Sequence, residues 1–116
     1  MLTLSIIADS QLSKALVAIH ADLAKPWTVQ SLADKSAMSR SAFSNKFSAL
    51  IGNTPIQYLT QIRLQCAYNH LQSTNDSIIT VALNHGYQSE AAFSKVFKKH
   101  YGTSPGKISK KRQRTH

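Results

Sequence analysis

A motif that occurs twice, 50 residues apart, constrains this chain more than any other feature. Ser39, Ala42, Phe43, Ser44, Phe47, Gly52 and Pro55 reappear as Ser89, Ala92, Phe93, Ser94, Phe97, Gly102 and Pro105. Upstream the offset falls to 49, where Ala33 matches Ala82, so the second copy carries one extra residue in its turn. A unit this short that recurs must fold the same way both times. Each copy reads as a short helix, a tight turn, and a Ser-capped helix whose inner face is Phe-x-x-x-Phe.

The remaining pattern is helical throughout. Proline occurs only at 26, 55 and 105, and glycine only at 52, 86, 102 and 106. Between these breakers apolar residues recur at three- and four-residue spacing, and no stretch sustains the alternation of a strand. Leu12, Ala15, Leu16, Ile19 and Leu23 form one stripe, with Ser10 as its expected cap and Pro26 as its end. Thr28 caps a short helix that turns Val29, Leu32 and Ala33 inward. Ser39 caps the next, with Phe43, Phe47 and Leu50 on one face and Gly52 as the stop. Thr54-Pro55 opens a long helix to about Gln72. It carries two stripes on different sides, Leu59/Ile62/Cys66 and Leu64/Ala67/Leu71, as a helix between two neighbours would. Ser77 caps a helix with Ile78, Val81 and Ala82, and Ser89 caps the last long one. The prediction is an all-α chain of about seven helices: two helix-turn-helix subdomains, 10–54 and 74–109, joined by a linker helix, 55–73. Residues 1–9 read as a remnant or linker and 110–116 as a basic tail.

A short helix with Ala at its crossing point lets a second helix approach closely and holds it outward. That is the helix-turn-helix arrangement, whose second helix enters the DNA major groove. At about 100° per residue, the face opposite Phe43 and Phe47 is Ser41, Ser44, Asn45 and Ser48. The matching face of the second copy is Glu90, Ala91, Ser94, Lys95 and Lys98. Asn pairs with adenine, Lys with guanine, Glu with cytosine, and Ala with the thymine methyl. The linker from Pro55 to Gln72 is 18 residues, about 27 Å as a helix. Successive major grooves on one DNA face lie about 34 Å apart. A monomer therefore suits an asymmetric site about two turns long, with bending of the DNA.

Composition points the same way. The 116 residues hold 14 Lys+Arg against 5 Asp+Glu, a formal charge of +9. Eight of the basic residues follow Glu90, and nothing acidic does. Such an excess repels itself unless an anion is near, and the usual anions are nucleic acid and membrane surfaces. No apolar run reaches the roughly 20 residues that span a bilayer. The start meets Asp9 early and has no basic residue before it, a poor signal peptide. The lone Cys66 excludes an internal disulfide and any multi-cysteine metal site, and fits a cytoplasmic setting.

These residues together resemble the AraC/XylS DNA-binding domain. The first half of that pattern is seen in Trp27-Thr28-Val29-x-x-Leu32-Ala33, Met38-Ser39-Arg40-Ser41-x-Phe43 and Gly52-x-x-Pro55-x-x-Tyr58-Leu59. Arg63 and Ala67 sit where the family's linker helix has them. Ile78-x-x-Val81-Ala82, Gly86-Tyr87-x-Ser89-Glu90, Phe93-Ser94-x-x-Phe97-Lys98 and Gly102-x-Ser104-Pro105 are similar to the second half. The resemblance spans about residues 10 to 109. It implies a bacterial transcription regulator, often an activator that contacts RNA polymerase, with double-stranded DNA as partner. It implies base contacts from Ser41, Ser44, Asn45, Glu90, Ala91, Ser94 and Lys95. The expected phosphate set is Ser39, Arg40, Ser48, Ser89, Lys98 and Lys99. Members commonly carry an effector-binding domain on the N-terminal side, so a small-molecule effector is expected only through such a preceding domain, and the chain reads as the C-terminal piece of a longer activator. Two departures stand out. Ile108 and Ser109 replace an aromatic and a basic residue, which with Gly106 predicts a short last helix. Ser41 and Ser44 are small where Arg or Gln is frequent, which shifts readout in the first copy toward Asn45 and DNA shape.

Other residues read as structural. Trp27 is expected to wedge beside the first helix, Tyr87 to pack in the second turn, and Cys66 to be a buried thiol. The five histidines share no metal-ligand spacing, so neither metal nor cofactor is expected. The rival function is a basic module that docks on acidic protein or membrane without reading sequence. An enzyme is excluded: there is no nucleophile with a partnered base, no carboxylate pair and no phosphate loop.

Overall fold

The computed structural model describes residues 9–110. Seven helices make up the described residues, with no strand among them. In chain order they are α1 Ser10–Ala21, α2 Val29–Lys35, α3 Arg40–Ile51, α4 Pro55–Ser73, α5 Ile78–Asn84, α6 Glu90–Tyr101 and α7 Pro105–Ile108. The readings of residues 1–8 and 111–116 lie outside the described residues. The chain divides into two compact units, one through Thr60 and one from Gln61, with the boundary inside α4.

In the first unit the caps follow the sequence with one correction. Asp9, not Ser10, caps α1: its carboxylate accepts from the N–H groups of Gln11 and Leu12 at 3.1 and 2.9 Å. A carboxylate accepts two amides at once, which a hydroxyl does less well, so the cap falls one residue earlier. The N–H of Leu12 and then the Lys46 ammonium hold the Asp9 carboxyl below its ordinary range. Thr28 and Ser31 form a reciprocal capping box at the start of α2. The core is Leu12, Ala15, Ile19, Trp27, Leu32, Ala33, Phe43, Phe47, Tyr58 and Leu59, all buried. Trp27 donates its indole N–H to the Asp22 carbonyl at 2.8 Å, at the end of α1, which satisfies its polar atom as it packs. Tyr58 packs edge-on to Phe47 and its hydroxyl meets His20 Nε2 at 3.0 Å. Burial raises the Tyr58 phenol above its ordinary range. Leu50, expected inward, is 36% exposed. It lies on the last turn of α3, beyond Phe47.

Thr54 and Gln57 exchange hydrogen bonds at the start of α4 in a second capping box, with Pro55 at the first helical position. The second unit closes on Leu64, Ala67 and Leu71 of α4, Val81 and Ala82 of α5, and Phe93 and Phe97 of α6. The stripe Leu64-Ala67-Leu71 has the same spacing as Leu12-Ala15-Ile19 of α1, so the duplication extends to the helix before each helix-turn-helix. Ile62 and Cys66 continue the line of Leu59 past the end of the first unit and are half-buried. The Cys66 thiol is therefore not enclosed as expected. The last helix is four residues long, as the departures at Gly106, Ile108 and Ser109 predict. It is nonetheless anchored, because Pro105 and Ser109 are buried and Ile108 packs on the core.

Candidate nucleic-acid interface

The two candidate reading helices are built by the same local rules. Ser39 adopts extended backbone and its hydroxyl accepts from the Ala42 N–H, which starts α3. Ser89 does the same with Ala92 and starts α6. Each helix stops at a left-handed glycine, Gly52 at φ 88° and Gly102 at φ 75°. Their N–H groups return to the carbonyls of Ser48 and Lys98 at 2.9 and 2.8 Å. Phe43 and Phe47 in one copy, and Phe93 and Phe97 in the other, are fully buried and fix which face looks inward.

What remains outward repeats position by position. Arg40, Ser41, Ala42 and Asn45 are exposed on α3, with Ser44 and Ser48 half-buried. Glu90, Ala91, Ala92, Lys95, Lys98 and Lys99 are exposed on α6, with Ser94 half-buried. Ser41, Asn45, Ala91 and Lys95 lie opposite the phenylalanines. Ser44 and Ser94 sit at the flank. Glu90, expected on the same outward face, precedes Phe93 by three residues and is exposed because it opens the first turn on the phenylalanine side. Ser39 and Ser89 are exposed as well, and their oxygens are engaged as caps. A hydroxyl that accepts from an amide still has its own hydrogen to donate to a phosphate.

The turns that aim these helices are also duplicated. Met38 donates its N–H to Ala33 and Tyr87 to Ala82, both at 3.0 Å. Ala33 and Ala82 are fully buried where each short helix meets its neighbour. Gln88 is the extra residue, inserted after the equivalent turn and before the Ser89 cap. The left-handed position of the turn is Ala37 at φ 55° in the first copy and Gly86 at φ 90° in the second.

Electrostatics distinguish the two helices. Glu90 sits in the first turn of α6, and Lys98, Lys99 and His100 in its last. Both placements suit the helix dipole. The first turn of α3 has no acidic residue and its last turn no basic one. Lys46, which the sequence did not single out, bonds Asp9 at 2.6 Å and ties α3 to the cap of α1. Its partner is distant in the chain, so only the folded unit shows the pair. Ala42 and Ala92, which recur at the 50-residue offset, are exposed beside the expected base-contact positions. Among the described residues no group of His, Cys, Asp or Glu is placed to hold a metal, and no helix is long and apolar enough to cross a membrane.

Comparison with known proteins agrees with this geometry. A family profile described as a helix-turn-helix domain matches residues 32–111. The HTH-type transcriptional regulator AlkR of Acinetobacter baylyi is 45% identical over 102 residues, 88% of this chain and 33% of its own length. A putative AraC-like transcription regulator of Streptomyces lividans is 39% identical over 104 residues, 90% of this chain and 34% of its own. The chain thus spans about a third of the length of these curated relatives. Among solved structures, an AraC-type transcriptional regulator from Chromobacterium violaceum superposes with a TM-score of 0.80 at 26% identity, covering 94% of this chain and 96% of that one. The DNA-binding domain of AdpA, solved in complex with a target DNA, also has a TM-score of 0.80, at 29% identity over 84% of this chain and 87% of that one. These likenesses support a DNA-binding regulator over a basic docking module.

Proposed function

The chain belongs to the AraC-type helix-turn-helix family of DNA-binding transcription regulators, and on that premise we propose that it reads one asymmetric duplex site with both α3 and α6. Ser41, Ser44 and Asn45 contact bases from the first helix, and Glu90, Ala91, Ser94 and Lys95 from the second. Ser39, Arg40, Ser48, Ser89, Lys98 and Lys99 hold phosphates. The observation that carries this reading is the repeated exposed face, polar and set opposite a buried phenylalanine pair in both copies. Chemistry supports a division of labour. The first face is small and polar, with Asn45 suited to adenine. The second carries Lys95 for guanine and Glu90 for cytosine, flanked by Lys98 and Lys99 for the backbone.

The site is about two turns long, each helix taking its own stretch of major groove. In a longer regulator of the kind the relatives represent, this chain supplies the DNA contact. Response to a small-molecule effector belongs to the remainder, and the whole acts beside RNA polymerase at a promoter.

Selection from random duplexes tests the reading, followed by hydroxyl-radical footprinting of the recovered site. The expected result is one bipartite sequence protected in two groove segments by one chain. Protection of a single turn per chain, or enrichment of nothing but charge, would contradict it.

A further inference from the structure

The second turn rests on a side chain that the first turn lacks. Gly86 lies at φ 90°, and a Cβ built there would meet Arg63 Cζ and Nε at 2.8 Å each. The guanidinium of Arg63, from α4, therefore lies flat beneath the turn, in the space a side chain would fill. The same cation acts on the Tyr87 hydroxyl, which burial raises and Arg63 pulls back down. Two turns further along α4, His70 sits with its ring centroid 5.3 Å from that of His85. Between them Ala67 is fully buried. Arg63 and His70, two turns apart on α4, thus meet the turn His85-Gly86-Tyr87 at its two ends.

From this turn the contact passes to the reading helix. The Tyr87 ring packs on Phe93 at 5.3 Å, and Phe93 is the buried residue that fixes the facing of α6. In the first copy the equivalent position is Ala37, which has a methyl where Gly86 has none. The missing Cβ that admits the guanidinium is thus a feature of the second copy.

We propose that Arg63 is a positioning residue for DNA recognition: its flat guanidinium sets the height of the Gly86-Tyr87 turn, and so where Glu90, Ala91, Ser94 and Lys95 meet the bases. The inference rests on the proposed reading of DNA by α6. It requires the plane of the group and not only its charge. Lysine carries the charge on a tetrahedral ammonium and cannot form the platform.

The test uses the whole chain and the duplex it selects from random oligonucleotides. If the unaltered chain enriches no sequence, the DNA-reading proposal fails and this one with it. If it does, R63K and R63Q are measured for melting, affinity and footprint. Both are expected to melt cooperatively near the parent temperature and to bind the selected duplex about tenfold more weakly. Protection is expected to fade over the half-site read by α6 and to persist over the other. Full binding by R63K would show that charge suffices and would overturn the proposal while leaving DNA reading intact. So would unchanged binding by both variants, equal fading of both half-sites, or loss of cooperative melting in both, which would make Arg63 a determinant of the fold instead.

Discussion

Two single residues carry costs that their neighbours do not remove. Ala37 holds a left-handed backbone at φ 55°, which costs an L-residue about 1–2 kcal/mol. Ala37→Gly is expected to raise stability by about 0.5–1 kcal/mol, read as an upward shift in melting temperature. A decrease would mean the methyl makes packing contacts that outweigh the strain. His85 is buried, 9% exposed, with Nδ1 bonded to the Val81 carbonyl at 2.8 Å. Burial pushes its proton affinity down, the Val81 carbonyl opposes this, and nearby His70, itself bonded to Asp76, adds to the lowering. The unfolded ring takes a proton near the ordinary histidine value of about 6.5, the folded ring only at lower pH. Stability is therefore full above that range and falls as the pH drops through it, by at most about 1.4 kcal/mol per pH unit for one proton. His85→Asn is expected to flatten this slope between neutral and mildly acidic pH in thermal melts. An unchanged slope would place the titrating group elsewhere.

At the scale of elements, caps and phenylalanine pairs decide where each helix starts and which face it shows. Asp9 links two elements, because it caps α1 and bonds Lys46 of α3. Asp9→Ala is expected to lower stability by about 0.5–2 kcal/mol, mostly through the lost cap, since a partly exposed ion pair adds little. A chemical denaturation curve that does not move would show the cap to be dispensable. On α3 the exposed Asn45 is the expected adenine contact. Asn45→Ala should weaken binding to the selected duplex and relax preference at one base position by about 1–3 kcal/mol. Equal loss on an unrelated duplex would remove its role in reading bases. The element boundaries were largely legible from Thr28, Ser39, Ser77, Ser89, Gly52 and Gly102, since capping is a local matter of backbone and one side chain. Asp9 is less legible, because Ser10 beside it is also a good cap and the choice between them depends on two amides at once.

For the molecule as a whole, the +9 charge governs encounter with DNA. Binding is expected to weaken steeply with salt, each neutralised phosphate contributing about 0.9 to the slope of log affinity against log salt. Lys98→Ala should weaken binding to every sequence alike and reduce that slope by about one contact. An unaltered slope in a salt titration would remove Lys98 from the phosphate set.

The helical class, the duplication, the two Phe-x-x-x-Phe cores and the side of each helix they turn inward are all readable from residue order. Those depend on spacing, and spacing along a helix converts directly into direction. That Lys46 is engaged by Asp9, that Cys66 and Leu50 stay partly open, and that Arg63 lies under Gly86 emerge from the folded chain. Each joins or separates residues distant in the chain, and periodicity says which side a residue faces but not what the fold brings to meet it.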